Sequence, residues 1–181
     1  MSAQRVTPEE FDGYFDTFRQ TVSRLEVLPA YDVGGAEGDR IAAFLTGRAR
    51  PERSVRTSPW LARIARTTVV DGKVWTRVRV VDDPLTDYER YEFSGYVESQ
   101  AAGERILVVR RDEVGDVGPD FWLFDADTPQ ARALLMDYDE AGHWLGADLI
   151  TDPDRLAELS GRLQDVEALA VPLNEYLSKI Q

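Results

Sequence analysis

The 181-residue chain contains no cysteine and a single histidine, His143. The absence of cysteine excludes disulfide bonds, thiolate nucleophiles, iron–sulfur clusters and zinc sites with sulfur ligands. One histidine excludes a multi-histidine metal site. The chain also lacks an uninterrupted apolar run of about 18 residues, so no transmembrane helix is expected.

The glycine motifs of common catalytic and nucleotide-binding folds are missing as well. There is no G-x-G-x-x-G, no G-x-x-x-x-G-K-[ST] and no G-x-S-x-G, so the usual phosphate loops and serine elbows are unsupported. We therefore expect no cofactor and no metal. The first residues have no apolar segment of the secretory type, and we expect a cytoplasmic protein.

Basic residues are scarce: 21 lysines and arginines stand against 33 acidic residues, for a net charge of −12. Charges cancel in residues 1–90, so residues 91–181 carry the whole excess. Within the first half, residues 48–79 form a basic belt. A domain with a pI of about 4.5 is a poor binder of nucleic acid, and an acidic face suits a basic protein partner. Alternatively, the belt pairs with the chain's own acidic half.

Periodicity predicts alternating helices and strands. Helices are expected over 8–20, 38–46, from 58 onward, 85–100, 153–168 and after Pro172, and strands over 22–28, 74–81, 106–111, 121–124, 133–138 and 143–150. Because four strands follow one another after residue 105, we predict an α+β fold with a mostly antiparallel sheet of five or six strands. Helices should pack mainly on one face, and residues 1–181 should form one domain.

Two of the predicted strands carry charged residues on one face. Arg24 and Glu26 alternate with apolar neighbours, as do Arg77 and Arg79. If the strands pair, the four side chains form a floor suited to an anionic ligand, because arginine forks bind carboxylate and phosphate groups. The alternative is a half-solvated sheet face held by cross-strand ion pairs.

The helix that follows the second strand adds candidate residues. Asp87 and Tyr91 lie four residues apart, as do Tyr88 and Glu92, so each pair shares a helix face. Tyr88 and Tyr91 would cover the arginine floor, with Glu26 or Asp87 moving a proton. Alternatively, Asp87 is there because a carboxylate stabilises a helix N-terminus.

Several short segments occur in a characteristic order. They are Arg24-Leu25-Glu26, Trp60-Leu61, residues 77–81, residues 84–88, residues 121–125, residues 144–147 and Val171-Pro172. Over roughly residues 10–178 the chain resembles an actinobacterial domain family of unknown function. The resemblance implies genes for helix-turn-helix regulators nearby, and hence a regulatory or partner-binding role, but no activity.

We therefore predict a cytoplasmic, non-enzymatic regulatory protein that binds a basic partner, such as a helix-turn-helix regulator, without direct contact with nucleic acid or membrane. The alternative is a protein or enzyme that binds a small anionic ligand through Arg24, Glu26, Arg77, Arg79, Asp87, Tyr88 and Tyr91. A third hypothesis is mimicry of nucleic acid by the acidic half, including Asp116 and Asp120.

Overall fold

In the computed structural model, which describes residues 4–180, one sheet carries helices on both faces. The strands are β1 (Gln4–Val6), β2 (Thr21–Glu26), β3 (Val74–Val81), β4 (Arg105–Arg110), β5 (Phe121–Phe124), β6 (Arg132–Tyr138), β7 (Trp144–Ile150) and β8 (Val171–Pro172). The helices are α1 (Pro8–Thr17), α2 (Gly35–Leu45), α3 (Pro59–Val69), α4 (Asp87–Ala101), α5 (Arg111–Val114), α6 (Pro153–Leu169) and α7 (Leu173–Lys179).

The α+β class is confirmed, but the prediction of a mostly antiparallel sheet of five or six strands is wrong. The eight strands form a mixed sheet in the order β1-β7-β6-β5-β2-β3-β4-β8. Strands β2, β3 and β4 run parallel. Strands β1 and β8 were not predicted; they have three and two residues and pair only at the sheet edges.

The parallel centre of the sheet follows from the connections. Helices α2 and α3 lie between β2 and β3, and α4 lies between β3 and β4. A helix between two strands allows them to run parallel, whereas a short turn makes them antiparallel. The later strands do follow one another closely, but β5 pairs with β2 rather than with β4.

Helix α4 has strong local signals at its first turn. The Thr86 side chain accepts a hydrogen bond from the backbone N–H of Glu89, while the Glu89 carboxylate accepts one from the N–H of Thr86 at 2.7 Å. This capping box satisfies backbone groups that a helix N-terminus leaves free. It fixes where α4 begins and thus which of its residues face the sheet.

Both sheet faces are covered. On one face, Phe15 of α1 packs among Trp75 and Trp122. On the other, Leu159 and other residues of α6 pack against β2, β3 and β4. The expectation that helices lie mainly on one face overlooked α6. Within residues 4–180, no helix combines the length and apolar character needed to cross a bilayer.

Candidate functional site

The strand register brings the predicted charged residues together. Arg24 lies opposite Arg77, and Glu26 lies opposite Arg79, across the parallel pair β2–β3. All four are buried, with Arg79 0% and Arg24 3% exposed. The face is therefore an interior charged cluster rather than a half-solvated surface.

Each arginine of this cluster is held by carboxylates. Arg24 Nη2 donates to Asp120 Oδ2 at 2.7 Å, and Arg24 Nε lies 3.5 Å from Glu26 Oε1. Arg77 donates to Glu26 through Nη1 and to Glu104 Oε1 through Nε at 2.9 Å. Because a buried charge without a partner is costly, these contacts decide whether the strands can carry arginine at all.

Arg79 anchors the α4 side of the cluster. Its Nε donates to Glu92 Oε2 at 2.8 Å, and its Nη1 donates to the backbone oxygen of Leu28 at 2.6 Å. The second contact ties the loop after β2 to the centre of β3. Arg79 therefore positions both Glu92 and the loop.

A cavity of about 430 Å³ opens over Arg24, Glu26 and Arg77. Its walls come from the loop after β2, from α2, α3 and α4, and from the β6–β7 hairpin. Seven aromatic side chains line it: Tyr31, Trp60, Tyr88, Tyr91, Tyr96, Tyr138 and Trp144. This volume is within the range of about 300–1,000 Å³ typical of small-molecule sites.

Helix α4 supplies one continuous wall of the cavity. Tyr88, Glu92, Tyr96 and Ser99 recur at intervals of three or four residues, which places them on one helix face, and all four line the cavity. The tyrosines and Glu92 thus lie over the arginines of the sheet.

The structure separates the seven residues singled out in the sequence. Arg24, Glu26, Arg77, Tyr88 and Tyr91 line the cavity. Arg79 lies behind the wall and braces Glu92.

Asp87 lies outside the cavity. Its side chain is 76% exposed and binds Arg90 at 3.1 Å. Asp87 therefore cannot exchange a proton with a molecule bound there. Its place in the first turn of α4 fits the helix-dipole alternative.

Several residues of the cluster were not among the predicted site residues. Glu92 was recognised only as sharing a helix face with Tyr88, and Tyr96 continues that four-residue spacing, which could have identified both as site residues. Glu104 and Asp120 each precede a strand by one residue. A single carboxylate in that position carries no distinctive signal.

Glu92, Tyr96 and Glu26 form a hydrogen-bonded chain. The Tyr96 hydroxyl lies 2.5 Å from Glu26 Oε2 and 3.2 Å from Glu92 Oε1. A hydroxyl has only one hydrogen to donate. If Tyr96 donates to Glu26, its contact with Glu92 requires a proton on the Glu92 carboxyl.

The electrostatics of the two carboxyls agree with that proton position. Burial, aided by the negative charge of Glu26, raises the pKa of Glu92 to about 8. Burial also acts to raise the pKa of Glu26, but the positive charges of Arg77, Arg24 and Arg79 outweigh it and lower that pKa to about 2. At neutral pH Glu92 therefore holds the proton and Glu26 the charge.

The tyrosines remain neutral for a related reason. Burial raises the pKa of Tyr31, Tyr88, Tyr96 and Tyr138, in each case with help from nearby carboxylates. A neutral phenol donates a hydrogen bond but is a poor base. Glu92 is thus the cavity group best placed to give or take a proton. Among residues 4–180 no cluster of side chains suited to a metal ion is found.

The raised pKa of Glu92 predicts a pH dependence of stability. The unfolded carboxyl titrates near 4.5 and the folded one near about 8. Between these values only the folded state holds the proton, so the free energy of unfolding should fall as the pH rises, by up to about 1.4 kcal/mol per pH unit. Glu92→Gln has no proton to release and should show a flatter curve between pH 5 and 8 in urea titrations. Parallel curves for the two proteins would contradict the assignment.

The basic belt is largely engaged within the molecule. Arg53 lies 3.2 Å from Glu98, and Arg63 lies 2.8 Å from Asp12. Arg77 and Arg79 pair with Glu104 and Glu92 of the acidic half. Asp12 belongs to the first half of the chain, but the contacts of Arg53, Arg77 and Arg79 agree with the alternative in which the belt pairs with the chain's own acidic half.

Comparisons with known proteins identify a family but no activity. A family model with the description "Domain of unknown function (DUF6879)" matches residues 9–178. No curated protein matches the chain. The cavity and its residues are therefore the basis for inferring a function.

Proposed function

We propose, for a chain that belongs to the DUF6879 family of domains of unknown function, that the cavity over β2 and β3 binds a small polar molecule. The observation that carries this proposal is the convergence of buried charged residues on an open cavity. Arg24, Glu26, Arg77 and Glu92 are each no more than 9% exposed, and all four line it.

The cost of burying these charges supports a binding role. Apolar side chains of similar volume fill a protein interior as well as or better than ion pairs do. Charged groups with perturbed pKa values in a cleft are characteristic of functional sites. In addition, Arg24 Nη1 is buried and has no hydrogen-bond partner within the described residues, which leaves one donor of the cavity floor unsatisfied.

Fewer observations support the anionic ligand predicted from the sequence than support a small polar ligand in general. Arg24 and Arg77 already bind carboxylates, and Arg53 binds Glu98. The free Nη1 of Arg24 is the feature that still favours an anion. The cavity as a whole supports a small polar ligand more than it supports a negatively charged one.

A substitution that fills the cavity tests the proposal. A side chain at Gly95 would project toward Arg53, whose Nη1 is 3.9 Å from an added Cβ. Gly95→Leu should abolish retention of small molecules from a cell extract, as read by native mass spectrometry. It should not unfold the protein, because leucine favours a helix by about 0.5–1 kcal/mol over glycine.

The matched control is Gly13→Leu in α1, where an added Cβ meets nothing within 4 Å. It should retain the same molecules as the unchanged protein. If the unchanged protein retains none, or if Gly95→Leu retains them equally, the binding role is wrong.

We also propose that the acidic half binds a basic protein partner. A groove between α5 and α6 is lined by Glu113, Asp116 and Asp165, and by Glu158 with its ion-pair partner Arg162. Apolar residues of the groove include Leu169, which is 54% exposed. Such a groove suits a basic amphipathic segment. We propose that this partner is a helix-turn-helix regulator. The proposal also includes an actinobacterial source and a cytoplasmic location for the protein.

Charge reversal tests the partner proposal. Asp116→Lys with Asp165→Lys should weaken binding of a purified helix-turn-helix regulator at least about tenfold at low salt, because each reversal replaces attraction by repulsion. Glu140→Lys, on the exposed β6–β7 turn, is the control. Asp120 is unsuitable for such a series, since it is 2% exposed and binds Arg24. An equal loss of binding in the control would contradict the groove as the binding site.

A further inference from the structure

We propose that the ligand of the cavity carries a cationic group that lies against the tyrosine wall near Glu37. This inference rests on the proposed small-molecule function and specifies the chemistry of the ligand. The class is a small organic cation or a zwitterion with an ammonium group.

The balance of charge around the cavity favours a cation. Four acidic side chains and three arginines line it. Glu26 pairs with Arg77, Glu92 is protonated at neutral pH and binds Arg79, and Asp32 lies against the His143 ring. Glu37 is exposed on the first turn of α2 and belongs to none of the ion pairs among residues 4–180. A ligand entering the cavity therefore meets a carboxylate without a counter-ion.

The arginines do not cancel this negative charge. Arg24 is bound to Asp120, Arg77 to Glu104 and Arg53 to Glu98. These three carboxylates lie outside the lining of the cavity. The positive charges of Arg24 and Arg77 are thus matched within the protein, and that of Arg53 is matched in part because Glu98 also binds Arg40. This weakens the attraction of the arginines for an anion in the cavity.

The aromatic wall of the cavity also favours a cation. Ring centroids are 5.2 Å apart for Tyr138 and Tyr31, 5.8 Å for Tyr31 and Tyr88, and 6.2 Å for Tyr88 and Tyr91. The four rings form a continuous series, and the face of an aromatic ring attracts a cation within about 6 Å. Recognition of quaternary ammonium groups commonly uses several rings of this kind.

The electrostatic surroundings of Tyr88 point the same way. After burial, the effects that raise the pKa of Tyr88 are the charges of Glu92, Glu26 and Glu37, while Arg79 opposes them. Of these groups, Glu92 is protonated at neutral pH, but the Glu26 and Glu37 carboxylates also favour a positive charge nearby. Tyr88 and Glu37 together therefore define the cation position.

The sheet already holds cations against aromatic rings. The guanidinium carbons of Arg24 and Arg77 lie 5.2 Å and 5.5 Å from the Trp122 ring. The ligand cation would extend this arrangement from the floor of the cavity to its wall.

Three probes of matched shape separate charge from shape. Choline carries a trimethylammonium group, 3,3-dimethyl-1-butanol replaces its nitrogen with carbon, and 3,3-dimethylbutanoate pairs the same branched carbon with a carboxylate. Binding is followed by ligand-observed NMR and by fluorescence of the cavity tryptophans, Trp60 and Trp144. Choline should bind at least about tenfold more tightly than either other probe, a difference of about 1.4 kcal/mol.

Two substitutions locate the cation. Glu37→Gln should weaken choline binding about three- to tenfold and leave the alcohol unchanged, whereas Asp39→Asn, an exposed residue of the same helix, should change neither. Tyr88→Leu should abolish choline binding, and Tyr88→Phe should retain it because the ring face remains. Thermal unfolding of each variant checks that the fold is preserved.

Other results overturn the inference. The ligand would not be a cation if the butanoate bound as tightly as choline or more tightly. The same conclusion would follow if choline failed to bind at about ten times the concentration used for the other probes. Equal effects of Glu37→Gln and Asp39→Asn would remove Glu37 from the site. In each case the proposed binding function would still hold if the unchanged protein retained small molecules and Gly95→Leu did not. Failure of the cation inference can therefore be distinguished from failure of the binding function.

Discussion

Replacing Arg79 with methionine is expected to lower the free energy of unfolding by about 3–5 kcal/mol. Arg79 is 0% exposed, and its guanidinium binds both Glu92 and the backbone oxygen of Leu28. Methionine fills similar space but leaves the Leu28 oxygen without its donor. It also removes the hydrogen-bond donor of Glu92 and a positive charge that faces the ionised Glu26. Urea unfolding at pH 7 measures the loss.

Two further variants distinguish the loss of the buried Arg79–Glu92 contact from the loss of an arginine at any position. Arg90→Met removes an exposed partner of Asp87 and should cost less than about 0.5 kcal/mol, because surface pairs contribute little. Arg79→Met combined with Glu92→Leu should regain part of the stability, since leucine leaves no buried carboxyl group without its donor. A loss below about 1 kcal/mol in Arg79→Met alone would show that the cluster does not hold β3 to α4.

The local part of the fold could be predicted from the sequence because its signals are local. Alternation places Arg77 and Arg79 on one face of 74–81, and the structure gives β3 those bounds. The strand order could not be predicted in this way. The choice between β4 and β2 as the partner of β5 depends on contacts between residues about 100 positions apart, and periodicity carries no information about them.

The candidate site likewise has features that local patterns predict and features that depend on distant contacts. Arg24 and Arg77 could be identified because charged residues alternate with apolar ones on a strand. That they are buried could not be foreseen, since burial depends on Glu104 and Asp120, which reach the cluster from distant segments. Where one partner of an ion pair is separated from the other by 96 residues, a single sequence shows the charge but not its environment.

The cluster also explains why the cavity is a better guide to function than net charge. The excess of negative charge lies in the second half of the chain, yet Glu92, Glu104 and Asp120 from that half are interior residues that bind the buried arginines. They are therefore unavailable to an external partner. The acidic surface that remains is smaller than the composition indicates, and it includes the α5–α6 groove.

Replacing Asp125 with alanine is expected to lower the free energy of unfolding by about 3–4 kcal/mol. The carboxylate is 2% exposed. It accepts hydrogen bonds from the backbone N–H groups of Arg19 at 2.9 Å, Gln20 at 2.6 Å and Thr21 at 3.2 Å. These bonds fix the entry of the chain into β2, and so the register that places Arg24 opposite Arg77. Alanine would leave three donors without an acceptor.

The matched control for this prediction is Asp127→Ala. Asp125 and Asp127 both have positive φ angles, 51° and 64°, so alanine is equally strained at either position. Asp127 is exposed, and its replacement should cost about 1 kcal/mol or less. Chemical unfolding of both variants therefore separates the three hydrogen bonds from backbone strain. Equal losses would mean that strain, and not the carboxylate, accounts for the effect at Asp125.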